Sequence, residues 1–186
     1  MTTVFISGSR KLGRLNEEIR QRVQNIADQS FKIVLGDANG ADKALQNYLR
    51  ILNYPYVTVY CAGDRCRNNL GSWPTRSVNV PPNLKGRDFY TQKDKVMADE
   101  ADYGLVFWDG KSPGALENVV ELLKRNKKTL VYLSPKKSFY SIAAVSDLRS
   151  LLANCGQAEL ENINKKIGLE RALQELEGHT QAELSF

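Results

Sequence analysis

The stretch Trp108-Asp109-Gly110-Lys111-Ser112-Pro113-Gly114 says the most about how this chain folds. It follows an apolar run, Tyr103–Trp108, that predicts a buried strand, and it ends in a helix start. Ser112 is a favoured N-cap residue, and Pro113 is tolerated at the first helical position because its missing N–H would be unpaired there. A strand that passes into a helix through a glycine-rich turn is typical of parallel α/β sheets, in which such turns share the edge where ligands bind.

Two earlier turns have the same character. Ser7-Gly8-Ser9-Arg10 ends the first apolar run, and Gly36-Asp37-Ala38-Asn39-Gly40-Ala41-Asp42 follows the second. Amphipathic helical patterns separate the apolar runs, which indicates right-handed βαβ crossovers. We therefore predict an α/β fold, a Rossmann-like three-layer sandwich followed by C-terminal helices. Its mainly parallel sheet should have about five strands, at Thr2–Ser7, Lys32–Leu35, Tyr56–Tyr60, Tyr103–Trp108 and Thr129–Leu133.

The chain is predicted to divide around this sheet. Residues 1–135 form the Rossmann-like domain, residues 136–178 a helical extension and residues 179–186 a tail. Residues 61–87 lack a sustained period, which predicts a long loop or lid over the domain. The alternative interpretation of this loop is a solvated insertion pinned by Trp73.

Helices alone are expected after Pro135, over Ile142–Leu152 and Ala158–Leu176. Both segments carry an apolar stripe at helical spacing. The stripe either packs on the flank of the sheet or joins two copies of the chain in a homo-oligomer.

Composition places the chain among ordinary globular proteins, with 186 residues and a formal net charge of +5. No apolar run approaches bilayer-spanning length and no charged-then-apolar leader opens the chain, so we expect a cytoplasmic protein without membrane contact. The odd count of cysteines (Cys61, Cys66 and Cys155) argues against a secreted disulfide framework. The only histidine, His179, lies in the polar tail, so neither a metal site nor a cofactor is predicted.

Positive charge is concentrated in residues 61–87 and 124–137, and basic patches of this size suit phosphate-bearing partners. For the second segment the simpler interpretation is a solvated face. In the first, Arg65, Arg67 and Arg76 together with Trp73 are candidates for gripping single-stranded nucleic acid, since an aromatic ring stacks on bases and arginine contacts the backbone.

Phosphate recognition is predicted at the first and third turns. Gly8-Ser9-Arg10 offers backbone N–H groups, a hydroxyl and a guanidinium. In the third turn Gly110, Ser112 and Gly114 lie at a helix N-terminus, where unpaired N–H groups attract anions. Gly114 costs the helix about 1 kcal/mol relative to alanine, which makes sense if a side chain there would block a ligand.

In the second turn, Asp37 or Asn39 is a candidate helix cap between the two glycines, Gly36 and Gly40. Asp42 lies in the first turn of the following helix, where the helix dipole favours a carboxylate. We expect it either to support the helix alone or to accept a hydrogen bond from a ribose hydroxyl or a base.

Four motifs in this order resemble the SLOG superfamily, which joins the Rossmann-like domains of the DNA-processing protein DprA and of the lonely-guy (LOG) nucleotide hydrolases. They are the three turns and, between the second and third, Lys93-Asp94-Lys95-Val96-Met97 with Ala101-Asp102. The resemblance covers residues 2–134 and is closest to the small, stand-alone members. It implies a pocket for a nucleotide or nucleotide-derived ligand. The candidate binding residues are Gly8, Ser9, Arg10, Gly36, Asp37, Gly40, Asp42, Lys93, Trp108, Gly110, Lys111, Ser112, Gly114, Ala115 and Asn118.

The resemblance also allows a comparison with the residues that LOG proteins use for hydrolysis. LOG proteins share an Arg-Lys-x-x-Met stretch and a Gly-Gly-x-Gly-Thr-x-x-Glu loop, whose Arg and Glu serve cleavage of the base–sugar bond. In this chain the Arg position is Lys93, the Thr position is Ala115 and the Glu position is Asn118. An amide cannot replace a carboxylate as general base or stabilise an oxocarbenium ion. Asp94, Asp109 and Asp42 are the candidates to take the place of this Glu, and Asp94 with Asp109 are the predicted catalytic pair.

The predicted function is a ligand-binding or sensor module for a nucleotide-type small molecule. The first alternative is an N-glycoside hydrolase or transferase acting on a nucleotide, of the phosphoribohydrolase or deoxyribosyltransferase kind. The second alternative is single-stranded nucleic-acid binding in the manner of DprA.

Overall fold

A computed structural model describes residues 1–183 of the protein, with side chains through residue 178. The described residues form a seven-stranded sheet with helices on both faces. The elements are β1 (Thr3–Gly8), α1 (Glu17–Asp28), β2 (Lys32–Leu35), α2 (Ala41–Ile51), β3 (Val57–Ala62), β4 (Thr75–Val78), α3 (Gly86–Glu100), β5 (Tyr103–Trp108), α4 (Pro113–Leu123), β6 (Thr129–Leu133), β7 (Ser138–Ile142), α5 (Val145–Leu152), α6 (Gln157–Ile167) and α7 (Leu169–Glu183).

The strand order is β4-β3-β2-β1-β5-β6-β7, and all neighbours are parallel except β6 and β7. The chain winds outward from β1 to β4 and returns to β5 on the other side of β1, so the winding reverses between β1 and β5. Ligands in open α/β sheets bind at such a reversal, beyond the carboxyl ends of the strands. There Gly8 pairs with Phe107, and the Ser9 N–H donates to the Phe107 carbonyl at 2.8 Å.

The two faces of the sheet bury separate cores because successive strand residues point to opposite sides. Ile6 of β1 packs with α1 and α2, whereas Phe5 packs with α3, α4 and the C-terminal helices. The predicted class and the five central strands are confirmed. The N-cap of α1 is Asn16, whose side-chain oxygen accepts from the Ile19 N–H at 3.0 Å.

Two further strands lie where the sequence predicted none. β4 falls inside the predicted loop or lid of residues 61–87, and β7 falls where only helices were expected after Pro135. Both are edge strands that no third strand covers on the outside. β4 has exposed side chains at three of its four positions, so its sequence carries no apolar signal. β7 returns antiparallel to β6 through a tight turn at Ser134–Lys136.

The second predicted C-terminal helix, Ala158–Leu176, is two helices. Gly168 separates α6 from α7 with φ +61°, a left-handed conformation that glycine adopts without a steric cost. Apolar residues on both sides of the break pack within the chain, with Ile163 and Leu173 buried in the core on the α4 side of the sheet. The predicted tail begins inside α7, which runs to Glu183, and residues 184–186 lie outside the described part of the chain.

The odd count of cysteines argued against a secreted disulfide framework, and the structure contains one local disulfide. Cys61 at the end of β3 and Cys66 in the following loop form a disulfide, with Cα atoms 5.0 Å apart, and Cys155 is free. The bond is a local link because only five positions separate the two residues. Among residues 1–183, no helix has the length and apolar character needed to cross a membrane.

Candidate functional site

A cavity of about 480 Å³ opens at the reversal point, between the carboxyl ends of β1 and β2 and the helices α3 and α4. We call it the inner cavity. The structure brings ten of the predicted residues to its wall, from all four sequence motifs. These are Gly8, Arg10, Gly36, Asp42, Lys93, Asp94, Ser112, Gly114, Ala115 and Asn118.

The floor of the inner cavity holds one buried cation between carboxylates. Lys93 of α3 is only 3% exposed, and its Nζ donates to Asp94 Oδ1 at 2.6 Å. Asp42 of α2 lies on the other side and accepts from the Ala38 N–H at 3.1 Å. A methyl group at Gly36 would stand 2.5 Å from both Asp42 Oδ2 and Lys93 Nζ. Glycine at this position therefore leaves room for these charged groups where β2 ends.

Burial and neighbouring charges divide these groups electrostatically. Burial raises the pKa of Asp42 to about 6, and the Asp94 charge adds to this while Lys93 opposes it. Burial alone would lower the pKa of Lys93, but the carboxylates of Asp94 and Asp42 raise it above its ordinary value. Lys93 thus stays protonated, and Asp42 exchanges a proton close to neutral pH.

The turn before α4 is built by Asp109. Its Oδ1 accepts from the Lys111 and Ser112 N–H groups, at 3.0 and 2.7 Å, and from the Ser9 hydroxyl at 3.0 Å. Asp109 does not line the inner cavity, which separates the predicted catalytic pair of Asp94 and Asp109. A carboxylate this close to three donors acts as the cap of the turn. Ser112 occupies the N-cap position without a side-chain cap bond of its own.

The first turn of α4 faces the inner cavity. Apart from its chain neighbours and the backbone of its own helix, no heavy atom of the described residues lies within 4 Å of where a Cβ at Gly114 would stand, so this part of the cavity wall is open space. Trp108, which is fully buried, holds this turn by donating from Nε1 to the Ser112 carbonyl at 3.0 Å. Asn118, one turn further along α4, donates to the Ser7 hydroxyl at 3.0 Å.

Other predicted residues shape the turns and strand contacts around the inner cavity. A Cβ at Gly8 would stand 2.8 Å from both Ala41 Cβ and the Phe107 carbonyl, so glycine permits α2 and β5 to approach β1. Gly40 has φ +87°, and a Cβ there would collide with the Arg10 backbone. Gly110 also has a left-handed φ of +76°. Ser9 and Asp37 are buried beside the cavity, whereas Lys111 is exposed outside it.

Part of the wall of the inner cavity, which we call the outer wall, comes from Arg67, Arg87 and Tyr90, which belong to none of the four motifs. Asp37 is 1% exposed and accepts from Arg67 through its backbone N–H and its guanidinium, the shortest distance being 2.6 Å. Burial raises the pKa of Asp37, but these hydrogen bonds outweigh it and hold the pKa below its ordinary value. Arg67 also lies over the Tyr90 ring, 4.1 Å from its centroid. Arg87 pairs with Glu117 and so connects α3 to α4.

Signals for this wall were present only in part. Arg67 belonged to the basic loop and Tyr90 to the start of the following helix, but nothing in the sequence joined them across the cavity. Lys166 reaches the wall from α6, where no signal distinguishes it from its neighbour Lys165.

The predicted nucleic-acid residues are not assembled for that role. Trp73 is 8% exposed and donates from Nε1 to the Tyr54 carbonyl at 2.8 Å, so its ring offers no stacking surface. Arg76 pairs with Glu100, and Arg67 pairs with Asp37. Arg65 is exposed. No group of three or more His, Cys, Asp or Glu side chains in the described part of the chain is arranged to hold a metal ion.

Comparison with known proteins supports the assignment of the fold. No protein-family model matches the sequence, and no curated protein matches it. One similar solved structure is DNA processing protein A from Helicobacter pylori, which binds single-stranded DNA. The TM-score is 0.54 at 16% sequence identity, and the match covers 70% of this chain and 64% of that chain. This similarity supports the Rossmann-like fold that the motifs predicted.

Proposed function

We propose that the protein binds a nucleotide-type ligand in the inner cavity. The observation that carries the proposal is the open space over Gly114, at the N-terminus of α4 and at the reversal point of the sheet. Backbone N–H groups at a helix N-terminus favour an anion such as phosphate. Arg10 and Ser112 lie at the same end of the cavity and add a guanidinium and a hydroxyl.

The charges of the cavity also set the orientation of the ligand. Asp42 and Asp94 lie on the floor and would repel a phosphate, so the anionic end belongs at α4 and Arg10. Carboxylates accept hydrogen bonds from hydroxyl and amino groups, which a ribose and a base provide. The Tyr90 ring, on the outer wall, offers a surface for a base.

The test compares two helical glycines with open space around them. Gly114→Leu would place a side chain in the inner cavity. Gly178→Leu, at an exposed position of α7, is the matched control. Thermal unfolding is measured with each nucleoside monophosphate. We expect at least one to stabilise the wild type and the control, by about 2.7 kcal/mol at 100 times Kd, and not to stabilise Gly114→Leu. Equal stabilisation of all three proteins, or of none, would overturn the proposal.

Cleavage of a base–sugar bond is a second candidate function, because Asp42 and Asp94 share the cavity. A pKa of about 6 suits Asp42 as the general acid. In this reaction water adds its hydroxyl to the sugar C1′, Asp94 takes the proton of that water, and Asp42 donates a proton to the departing base nitrogen. Chromatography of free base from each monophosphate tests it. Absence of free base from the wild type would exclude the reaction, and an Asp94→Asn variant that releases base at the wild-type rate would exclude Asp94 as its general base.

Single-stranded nucleic-acid binding is favoured by the similarity to DNA processing protein A and opposed by the buried Trp73. If it occurs, affinity for a single-stranded oligonucleotide should fall steeply with salt. Arg65→Ala should then weaken it, since Arg65 is exposed and, unlike Arg67 and Arg76, forms no ion pair with a carboxylate among residues 1–178. Oligonucleotide binding without any mononucleotide binding would replace the main proposal with this one.

A further inference from the structure

A second cavity of about 490 Å³ adjoins the inner one on the outer side of the α4 N-terminus. We call it the outer cavity. It lies between the turn after β1, the turn before α4, and α6. Arg10, Ser112, Pro113 and Lys166 line both cavities and form the boundary between them. A ligand seated at this boundary therefore has access to both spaces.

The outer cavity carries an excess of positive charge. Arg10, Lys11 and Lys166 line it, and within residues 1–178 none of the three forms an ion pair with a carboxylate. Lys111 is also there and pairs with Glu159 at 3.3 Å, with 64% of the lysine side chain exposed. The other acid, Asp109, is already held by donors of its own turn. Three cations from two separate parts of the chain are therefore left to attract an anion.

The lining also excludes a second nucleoside. A base is held by stacking on an aromatic ring or an apolar surface, and no aromatic side chain of the described residues lines the outer cavity. Pro113 and Ala158 are its apolar residues. Lysine side chains around an open polar space suit several phosphate oxygens.

We propose that the ligand carries two or more consecutive phosphates, with the nucleoside in the inner cavity and the phosphate chain crossing the boundary into the outer one. This inference rests on the proposed function and specifies its ligand class. The phosphate nearest the sugar lies against Arg10, Ser112 and Lys166. The following phosphates lie against Lys11 and Lys111.

Lys11 provides the sharpest test because it lines the outer cavity and not the inner one. Its matched control is Lys165, an exposed lysine that neighbours Lys166 and lines neither cavity. Dissociation constants are measured by calorimetry for adenosine and guanosine mono-, di- and triphosphates. The proteins are the wild type, Lys11→Ala and Lys165→Ala.

In the wild type we expect the triphosphate of the preferred base to bind at least about tenfold more tightly than its monophosphate, since each added phosphate gains charged hydrogen bonds. Lys11→Ala should weaken triphosphate binding about threefold to tenfold and change monophosphate binding less than twofold. Lys165→Ala should change neither.

The outcomes separate this inference from the function on which it rests. Monophosphate binding without a gain from added phosphates overturns the inference and leaves the proposed function standing. The same holds if Lys11→Ala weakens both ligands equally or neither. Failure of every nucleotide to bind overturns the proposed function, and the inference with it.

Discussion

Two pairs of aspartates near the sheet edge have opposite surroundings. Asp37 lies two residues after β2 and Asp109 directly after β5, and hydrogen bonds from backbone and side chains enclose both carboxylates. Asp42 and Asp94 lie within α2 and α3, and they face the inner cavity around Lys93. We call the first pair the turn carboxylates and the second pair the cavity carboxylates.

The difference has a simple physical cause. Directly after a strand the backbone turns, and its N–H groups lose their sheet partners, so a short acidic side chain there becomes their acceptor. Inside the next helix fewer such donors are in reach: Asp42 accepts one backbone hydrogen bond, from the Ala38 N–H, and Asp94 pairs with Lys93, while both line the inner cavity. An aspartate after a strand is therefore a weaker candidate for chemistry than one inside the following helix. Asp109 stays a predicted catalytic residue, at a position where donors of its own turn already occupy its carboxylate.

The largest effect is expected from removing a turn carboxylate. Asp37→Ala should lower the free energy of unfolding by about 3 to 4 kcal/mol, since it leaves the Arg67 N–H and guanidinium without their buried partner. Urea denaturation at pH 7 measures it. Asp64→Ala, which removes an exposed acid from the loop that carries Arg67, is the control and should change stability by less than about 0.5 kcal/mol. Equal stability of the two variants would contradict the structural role of Asp37.

A cavity carboxylate should behave in the opposite way. The pKa of Asp42 rises from 3.8 to about 6 on folding, so between these values the folded protein holds a proton that the unfolded chain has released. The stability from this group is complete below pH 3.8 and is lost as pH rises through about 6. Asp42→Asn should thus raise the free energy of unfolding at pH 8 by about 2 to 3 kcal/mol.

Denaturation of this variant and the wild type across pH 4 to 8, roughly the window that separates the two protonation states, checks the sign. The difference between the two proteins should grow with pH and level off above neutrality. A variant that is less stable than the wild type at pH 8 would mean that Asp42 supports the fold as Asp37 does. The comparison between the two pairs would then fail.

The sequence predicted the parts of the fold that bury apolar side chains. β1, β2, β5 and β6 have mostly buried residues and were identified with nearly the observed bounds. β4 and β7 were missed because edge strands are held by backbone hydrogen bonds, which leave no apolar pattern. The break at Gly168 was missed because apolar residues continue on both sides of it, and a single glycine inside a helical pattern does not by itself end a helix.

The candidate site was predictable where a residue follows a strand or begins a helix. Gly36, Ser112 and Gly114 lie in the inner cavity because their positions in the turns put them at the sheet edge. Arg67 and Lys166 were not predictable as members of the same wall. They come from a loop and a late helix, and only tertiary packing brings them there.

A smaller loss is expected from the other turn carboxylate. Asp109→Ala removes the acceptor for the Lys111 and Ser112 N–H groups, which are partly accessible to water and can bond to it instead. The free energy of unfolding should fall by about 1 to 2 kcal/mol, as for a lost helix cap. Because the same turn positions Ser112 and Gly114, nucleotide affinity should fall as well. Unchanged affinity alongside the lost stability would show that the turn does not position the ligand.

The smallest change in stability is expected at Asp94, although this carboxylate is in direct contact with Lys93, at 2.6 Å. Two carboxylates share one buried cation, so removing either charge leaves a matched pair. Asp94→Asn loses an ion pair. It also removes a charge that adds to the effect of burial on the pKa of Asp42, so Asp42 then ionises more fully beside Lys93. Stability at pH 7 should stay within about 1 kcal/mol of the wild type. The fall in stability between pH 4 and 6 should become shallower, which follows from the lower Asp42 pKa. A loss of several kcal/mol with an unchanged pH profile would mean that Lys93 depends on Asp94 alone, and that the cavity carboxylates do not act as a pair.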